Sequence, residues 1–521
     1  MKKYFLGIDC GTTMLKVNLY DEKGIAVMRK QIKNPVITEG RKIEIDMEKL
    51  WDNVSYLIRE IIKDSKLNPS NIVSIGVCAQ GEGLWALDKD LKPVRNAILW
   101  NDSRAHTMVD SLHSDRDLIK QIKNITGSFI FGGGTNLLLK YIKENEREVY
   151  DNIEHIFFCK DFIRFKLTGE IFTDYSDMST SIIDLNTKEI SNEMLKLLDI
   201  EQMKEKFAPM KKSYELGGKI TKEAARLTGL KENTPVAIGM LDVISSLSGV
   251  GAVNDGDALV IIGTTISCGV VRQDLKDFSA NPGYEIHFLD DKFLEVMSTM
   301  SGAANLEWAI DTFYSNERRE YKDEIYSFLE TEIKDIAPGA EGIIFHPYIS
   351  ESGERMPFSN KNARAQFMGL SINKGRKYML KAVYEGVALA IRDCLDSVFK
   401  GDYEYDKDSI IYLTGGGSQS EIWAQIIADA TGRSVKVLEG GDFTCRGAAM
   451  LSTMTNEADF SKLLNIYENY KVKWEFIPDY ENFEIYQDLY YIYKKTRMTN
   501  DNLWHDLKLV RDKSKRKRKN I

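Results

Sequence analysis

Short apolar runs broken by small residues open the chain. Tyr4-Phe5-Leu6-Gly7-Ile8, then Asp9-Cys10-Gly11-Thr12-Thr13, then Leu15-Lys16-Val17-Asn18-Leu19-Tyr20 predict a strand, a tight turn and a second strand. Asp21-Glu22-Lys23-Gly24 predicts a hairpin turn into a third strand around Ile25 to Gln31. From Met47 to Ile62 the period becomes helical, with Leu50, Val54, Leu57, Ile58 and Ile61 on one face. Val73 to Cys78 is too short for a helix and predicts another strand. Helical and strand patterns alternate from there, which predicts an α/β fold with a mixed sheet.

Halfway along, the opening pattern returns. Ala258-Leu259-Val260-Ile261-Ile262 leads to Gly263-Thr264-Thr265 and then to Ile266-Ser267-Cys268-Gly269-Val270-Val271. Two copies of one strand–turn–strand unit are what an internally duplicated fold leaves behind. The small-residue stretch Gly249 to Asp257 marks the expected boundary. The organisation expected is therefore a first domain over 1–248, a second over 249–455 and an extension over 456–521. Beyond Leu451 the composition turns to Tyr, Glu, Asp and Lys without glycine, which predicts a helical extension. The basic run Lys513 to Lys519 is expected to be an unstructured, solvated tail.

With 521 residues and 43% hydrophobic content, the chain can bury a large core, which excludes a disordered regulator. Its 70 basic and 78 acidic residues make it a poor non-specific partner for nucleic acid. Six scattered cysteines form no CxxC pair, and four of them sit in strand-like runs, which reads as buried free thiols in a reducing compartment. No apolar run approaches the roughly 18 residues of a membrane helix, and the N-terminus reaches Asp9 too soon for a signal peptide. A cytoplasmic protein with no membrane and no nucleic-acid partner is expected.

The chemistry concentrates at strand ends. Each Gly-Thr-Thr turn offers backbone N–H groups and hydroxyls to an anion, and two of them suit successive phosphates of a nucleotide. Asp9, just before the first, suits Mg²⁺ held through water. Ordinary hairpin turns are the alternative. Leu413-Thr414-Gly415-Gly416-Gly417-Ser418-Gln419-Ser420 follows the strand Ile410 to Leu413 and precedes a helix over Glu421 to Thr431, an arrangement common at nucleotides. Asp242 lies between the strand Pro235 to Ile238 and a small-residue helix, where it is either a base for a substrate hydroxyl or a helix N-cap. Ala79-Gln80-Gly81-Glu82-Gly83 and Leu99-Trp100-Asn101-Asp102-Ser103-Arg104 supply carboxylates, amides and a guanidinium suited to a polyhydroxylated ligand, or a turn and a cap. The six histidines have no metal-ligand spacing.

In order and together, these segments resemble the FGGY carbohydrate kinases. The opening Gly7 to Thr13 resembles the family's first phosphate loop, Trp100-Asn101-Asp102-Ser103-Arg104 its W-[ND]-D-x-R element, and Lys160-Asp161 through Leu167-Thr168-Gly169-Glu170 its K-D…L-T-G-E segment. The resemblance implies two duplicated actin-like (ribonuclease H-like) ATPase domains of the actin/hexokinase/heat-shock fold with a cleft between them. It implies Asp242 as catalytic base, Thr12, Thr13, Gly263, Thr264 and Thr265 at the phosphates, and Gly415, Gly416 and Ser420 at the adenosine. It implies Gly302, Ala303 and Glu307 in a segment lining the nucleotide cleft, and Gly81, Glu82, Asp102 and Asp242 at the sugar. ATP and Mg²⁺ are the implied co-substrate and cofactor, a sugar or polyol hydroxyl the acceptor, and a homodimer is left open.

Glycerol kinases carry Arg-Glu where Gly81-Glu82 stands and an aromatic near Gly133, so glycerol is disfavoured. D-xylulose kinases carry Met-His at Gly81-Glu82 and Asn at Val243, so D-xylulose is disfavoured too. The string Ala79 to Leu84 with Leu241-Asp242-Val243 is similar to L-xylulose/3-keto-L-gulonate kinases; erythritol kinases share a similar string and the Cys159-Lys160-Asp161 run. An L-xylulose-like ketose is the expected substrate, with erythritol or another polyol as alternative. A chaperone-like ATPase would need a peptide-binding β domain that the short tail does not offer. A non-catalytic sugar sensor of the same fold is opposed by the presence of Asp9, Asp242 and both Thr-Thr pairs.

Overall fold

The computed structural model describes residues 2–275, 283–289, 291–399 and 409–519. The first strand-rich half forms a seven-stranded sheet. Its strands are β1 (Tyr4–Cys10), β2 (Met14–Asp21), β3 (Ala26–Lys33), β4 (Ile72–Ala79), β5 (Leu216–Lys219), β6 (Pro235–Ala237) and β7 (Met240–Leu241). The order is β5-β6-β4-β1-β2-β3, with β7 set against β4. β1 to β3 run antiparallel, whereas β4 lies parallel to β1 and β6 parallel to β4.

The second sheet repeats this plan. β8 (Ala258–Ile262), β9 (Ile266–Arg272), β10 (Gly283–Ile286), β11 (Phe293–Thr299), β12 (Ile410–Thr414), β13 (Ser434–Leu438) and β14 (Val472–Phe476) are ordered β10-β11-β9-β8-β12-β13-β14. β8, β9 and β11 run antiparallel, and β12 lies parallel to β8 as β4 does to β1. The duplication expected from the two Gly-Thr-Thr hairpins is thus present in the topology.

Every residue of β1 is buried because both faces of the sheet are covered. One cover is α1 (Met47–Ser65), which starts at the Asp46 cap, ends at Lys66 in the left-handed region, and buries Leu50, Val54, Leu57, Ile58 and Ile61. Each such aliphatic side chain contributes roughly 2 kcal/mol on burial. The opposite cover comes from the far end of the chain. The helix α2 (Asp242–Val250) closes the first lobe, and α3 (Phe443–Leu451) closes the second. A Cβ at Gly7 would stand 2.0 Å from the Cys445 carbonyl, and one at Gly76 1.8 Å from that of Ala448. Gly7 and Gly76 are register partners on β1 and β4, so together they form a trough that admits the α3 backbone. A Cβ at Gly249 would lie 1.9 Å from the Phe443 carbonyl, and one at Gly447 1.8 Å from that of Ser245, so α2 and α3 cross with their backbones nearly touching.

The extension departs from the purely helical expectation. Helix Phe460–Glu468 is followed by β14, which pairs antiparallel with β13 and completes the second sheet. Val472, Trp474 and Phe476 recur with period two, a strand signal that the composition alone hides. The final helix, α4 (Tyr480–Lys519), buries Tyr486, Tyr493 and Trp504 in the second lobe's core. It also continues through the basic run that was expected to be unstructured. Lys and Arg are good helix formers, and positive charge in the last turns complements the helix dipole. All six cysteines are buried and free. Among the described residues no helix is long and apolar enough to cross a membrane.

Candidate active site

Each hairpin turn is fixed from beneath and bare above. The first is tied by Asn34, whose side-chain amide donates to the Gly11 carbonyl at 2.9 Å and whose N–H donates to that of Thr13 at 2.8 Å. The Thr12 hydroxyl donates to Gln80 Oε1 at 3.0 Å and accepts the Trp100 indole N–H at 2.9 Å. Thr13 is exposed. In the second turn the Gly263 N–H donates to the Thr265 carbonyl at 3.0 Å, and the Gly263 carbonyl accepts the Ala303 N–H at 2.8 Å. A Cβ at Gly302 would stand 2.4 Å from the Thr264 carbonyl, so only glycine lets this segment slip under the turn. Thr264 and Thr265 are exposed.

The glycine loop after β12 lies against the end of β8. Gly415 has φ 84°, and its Cβ would stand 2.5 Å from the Ile262 carbonyl. Gly416 faces open space. Ser420 accepts the Trp423 N–H at 3.1 Å and caps the helix Glu421–Thr431. A cavity of about 630 Å³ is lined by Gly415, Ser418, Gln419, Gly441, Asp442 and Lys473, among others, a size suited to a nucleoside. Glu307 engages Arg318 at 2.8 Å and the Tyr326 hydroxyl at 2.6 Å instead, and does not line that cavity.

Asp9, next to last in the buried strand β1, joins the two lobes. Its Oδ2 accepts the Thr444 hydroxyl at 2.6 Å and lies 3.7 Å from Lys16 Nζ. The same lysine reaches Asp442 at 3.2 Å. Oδ1 of Asp9 is buried without a partner. Burial raises the Asp9 carboxyl above its ordinary range, with Lys16 and Thr444 pulling the other way.

Asp242 is the first residue of α2, and Leu241 holds the N-cap position with no side-chain cap. The carboxylate therefore does not cap its own helix. It is half-buried. Burial, and then the nearby negative charge of Asp9, push it up to about 7 against the pull of the Val243 N–H and Lys16. A carboxyl poised near neutrality can take a proton at physiological pH. Its backbone is anchored by a chain of polar contacts. Lys160 Nζ lies 2.9 Å from Asp174 Oδ1, the Ser176 hydroxyl donates to Asp174 Oδ2 at 2.6 Å, and the Leu241 N–H donates to Ser176 Oγ at 2.9 Å.

The sugar side of the site centres on Glu82, which adopts φ 58°. Its Oε2 accepts the Thr135 N–H at 2.7 Å, the Thr135 hydroxyl at 2.9 Å and the Ser181 hydroxyl at 3.0 Å, while Oε1 is buried without a partner. Burial raises its carboxyl despite these donors. Gly81 has Leu241 and Asp177 packed against it, with Asp177 Oδ1 2.9 Å from where a Cβ would be. That oxygen and Gln80 Nε2 are also buried and unpartnered. Asp177 is one of three aspartates around the fully buried Lys160, at 2.6 Å, with Asp161 and Asp174 each at 2.9 Å. Burial opposes the ammonium charge, but the three carboxylates outweigh it and hold Lys160 protonated. One ammonium cannot neutralise three aspartates, and burial raises the Asp177 carboxyl well above its usual range.

Asp102 sits differently. Its two oxygens accept from the Arg104 N–H, from the Arg104 guanidinium at 3.0 and 2.8 Å, and from the Ile43 N–H at 2.6 Å. Any sugar hydroxyl there would compete with a closed ion pair. Sequence reasoning passed over Asp177, Thr135, Ser176, Lys16 and Thr444. The Asp174-Tyr175-Ser176-Asp177 spacing did carry one signal, since Asp174 caps the helix Tyr175–Met178.

Comparison with known proteins gives two family models. The N-terminal domain of the FGGY family of carbohydrate kinases matches residues 4–249, and the C-terminal domain of the same family matches residues 258–455. A protein of Haemophilus influenzae named probable L-xylulose kinase is 29% identical over 94% of this chain and 98% of its own length. The L-xylulose/3-keto-L-gulonate kinase of Escherichia coli is 26% identical over 95% of this chain and 96% of its own. The crystal structure of a ligand-bound xylulose kinase from Lactobacillus acidophilus, 24% identical, superposes with a TM-score of 0.85 over 97% of this chain and 100% of that one, and shares the fold.

Proposed function

The chain belongs to the FGGY family of carbohydrate kinases, and from that premise we propose that it transfers the γ-phosphate of MgATP to a hydroxyl of a xylulose-like ketose, L-xylulose or 3-keto-L-gulonate. The observation that carries this reading is Asp242. Its carboxyl is uncapped, half-buried and titrates near neutrality, at the junction of the two lobes. The substrate assignment draws on the Ala79 to Leu84 string, on Val243 after the base, and on the relatives named for L-xylulose.

In the proposed reaction Asp242 orients the acceptor hydroxyl and takes its proton as the sugar oxygen attacks the γ-phosphorus. The new O–P bond forms as the bond from the γ-phosphorus to the bridging oxygen breaks, and ADP leaves. Thr12, Thr13, Gly263, Thr264 and Thr265 hold the phosphates by hydroxyls and backbone N–H groups, and Gly415 and Gly416 give the adenosine a flat approach. The orphaned, buried Oδ1 of Asp9 fits a Mg²⁺ held through water. When bound, Mg²⁺ offsets negative charge on the phosphates. Closure of the lobes keeps water from the γ-phosphate.

A second reading, an erythritol or other polyol kinase, is favoured by the Cys159-Lys160-Asp161 run and the Gly81-Glu82-Gly83 string. A coupled ADP-release screen over L- and D-xylulose, ribulose, 3-keto-L-gulonate and tetritols tests both. ADP release driven by L-xylulose or 3-keto-L-gulonate supports the first reading, and release confined to tetritols supports the second. Tight sugar binding without ADP release would mean a sensor and end both.

A further inference from the structure

The strand β10 belongs to the second sheet but is built into the first lobe. Among the described residues it is the outermost strand of its sheet, paired with β11 alone. Its Ile286 N–H donates to the Ser179 hydroxyl at 2.9 Å, and its Tyr284 N–H to the Gly127 carbonyl at 3.3 Å, both on the first lobe. Tyr284 and Ile286 are buried among Ile122, Ile125, Met178 and Leu185. Strand alternation then turns Glu285 to the opposite face. There its Oε2 is buried and has no partner.

Three other polar atoms share that condition. Gln80, Glu82 and Asp177 are 3%, 7% and 1% exposed, and Nε2, Oε1 and Oδ1 of these residues are unsatisfied. Buried polar groups left without partners are costly in a folded protein, and four around one cleft point to a ligand that satisfies them. Ser179, to which β10 is fastened, stands two residues from Asp177 and two from Ser181, whose hydroxyl donates to Glu82, so the strand carries Glu285 beside these carboxylates. Burial, and then the negative charges of Asp242, Asp177 and Glu82, raise its carboxyl well above the usual range. Among the described residues the cations nearby are already engaged. Lys160 is held by three aspartates, Arg104 by Asp102 and Glu44, and Lys16 by Asp9 and Asp442. His287 adds no charge, since burial pushes it down to about 3.

We infer that Glu285 is a substrate-binding residue which the second lobe delivers to the sugar site, and that the completed site takes neutral polyhydroxyl substrates and rejects sugar acids. Three carboxylate oxygens and one amide suit the O–H groups of a ketose or polyol. A substrate carboxylate lacks those donors, adds one more charge to a desolvated space that already raises the carboxyls of Asp177, Glu82 and Glu285, and among the described residues finds Lys160, Arg104 and Lys16 already engaged. The inference rests on the reading of this cleft as a sugar-kinase site, and narrows it to the neutral member of the two substrates proposed.

The experiment compares kcat/KM for L-xylulose and 3-keto-L-gulonate in the full chain and in Glu285→Gln and Glu285→Ala, with thermal midpoints to establish folding. The wild type is expected to favour L-xylulose by at least 100-fold. Glu285→Gln should shrink that preference at least tenfold, and Glu285→Ala should raise the L-xylulose KM about tenfold with the ATP KM unchanged. A wild type that uses 3-keto-L-gulonate as well as L-xylulose, or folded variants whose preference and sugar KM stay within twofold of wild type, would overturn the inference and leave the kinase reading standing. Absence of ADP release with either sugar, or with any polyol, would bring down the kinase reading and the inference with it.

Discussion

The backbone N–H of Leu241 donates to the hydroxyl of Ser176 at 2.9 Å, so the residue just before Asp242 is tied to the short helix Tyr175–Met178. Ser176 is in turn held by Asp174, and Asp174 by the buried Lys160. Ser176→Ala removes the link while leaving every proposed substrate contact in place. It should lower kcat about tenfold and leave the ATP KM unchanged, because small errors in the position of a base reduce turnover before they reduce binding. Initial-rate kinetics beside a thermal midpoint would check this, and an unchanged kcat would show that Leu241 needs no such tether.

Replacing the base separates activity from stability. Asp242→Asn should reduce kcat by about 10³-fold or more, within the range for a lost general base in a closed site. The same change should stabilise the fold at pH 8. The Asp242 carboxyl is raised from 3.8 to about 7, so its ionised form is disfavoured in the folded protein. Its contribution is intact below the unfolded value and is lost as pH rises through about 7. Asparagine carries no such penalty, so the variant should match the wild type near pH 4 and exceed it at pH 8, by up to about 4 kcal/mol. Denaturant midpoints at the two pH values give the comparison.

The pH profile of kcat/KM should show an acid limb near 7, since Asp242 must be ionised to accept a proton. Lys16 lowers the Asp242 carboxyl, so Lys16→Met should move that limb to higher pH. A limb that moves down, or one that stays below pH 5 in both proteins, would count against Asp242 as the titrating group.

Thr135 donates its N–H to Glu82, and its hydroxyl lies between Glu82 Oε2 at 2.9 Å and the Gly83 carbonyl at 2.7 Å. Thr135→Val keeps the volume and the backbone donor but removes the hydroxyl. The sugar KM should rise severalfold with no change for ATP, as Glu82 and the Gly83 carbonyl lose the hydroxyl that links them and the carboxylate is held by the Thr135 N–H and Ser181 alone. Saturation curves for the two substrates read this directly.

At Gly447 a methyl group would be driven to 1.8 Å from the Ser245 carbonyl. Gly447→Ala should therefore separate α2 from α3 and cost about 3 kcal/mol of stability, at the upper end for overpacking because backbone blocks backbone. Urea midpoints measure the loss, and a variant as stable as the wild type would contradict the contact.

Much of the framework was legible in the chain because its signals are local. The Gly-Thr-Thr turns, the helical period of Leu50 to Ile61 and the Gly415 loop each declare themselves within a dozen residues. β14 was hidden because Tyr-, Glu- and Lys-rich composition masked the alternation of Val472, Trp474 and Phe476. Glu307 lies where its motif lies, yet its carboxylate is committed to Arg318, a partner that no motif specifies, and Asp102 is closed by Arg104, the arginine of its own element, a pairing that the spacing alone does not declare. Glu285 was invisible for a different reason. Its role comes from a strand of one half docking on Ser179 and Gly127 of the other, more than a hundred positions earlier in the chain for Ser179.

The trough made by Gly7 and Gly76 and the crossing at Gly249 and Gly447 bring main chain against main chain where the two halves meet. Side chains ring those four points, among them Thr444 on Asp9 and the cluster of Ile244, Leu247, Cys445 and Met450. A swing of one half against the other therefore slides backbone past backbone at the glycines, while the ring of side chains around them and the fastening of β10 on Ser179 resist it.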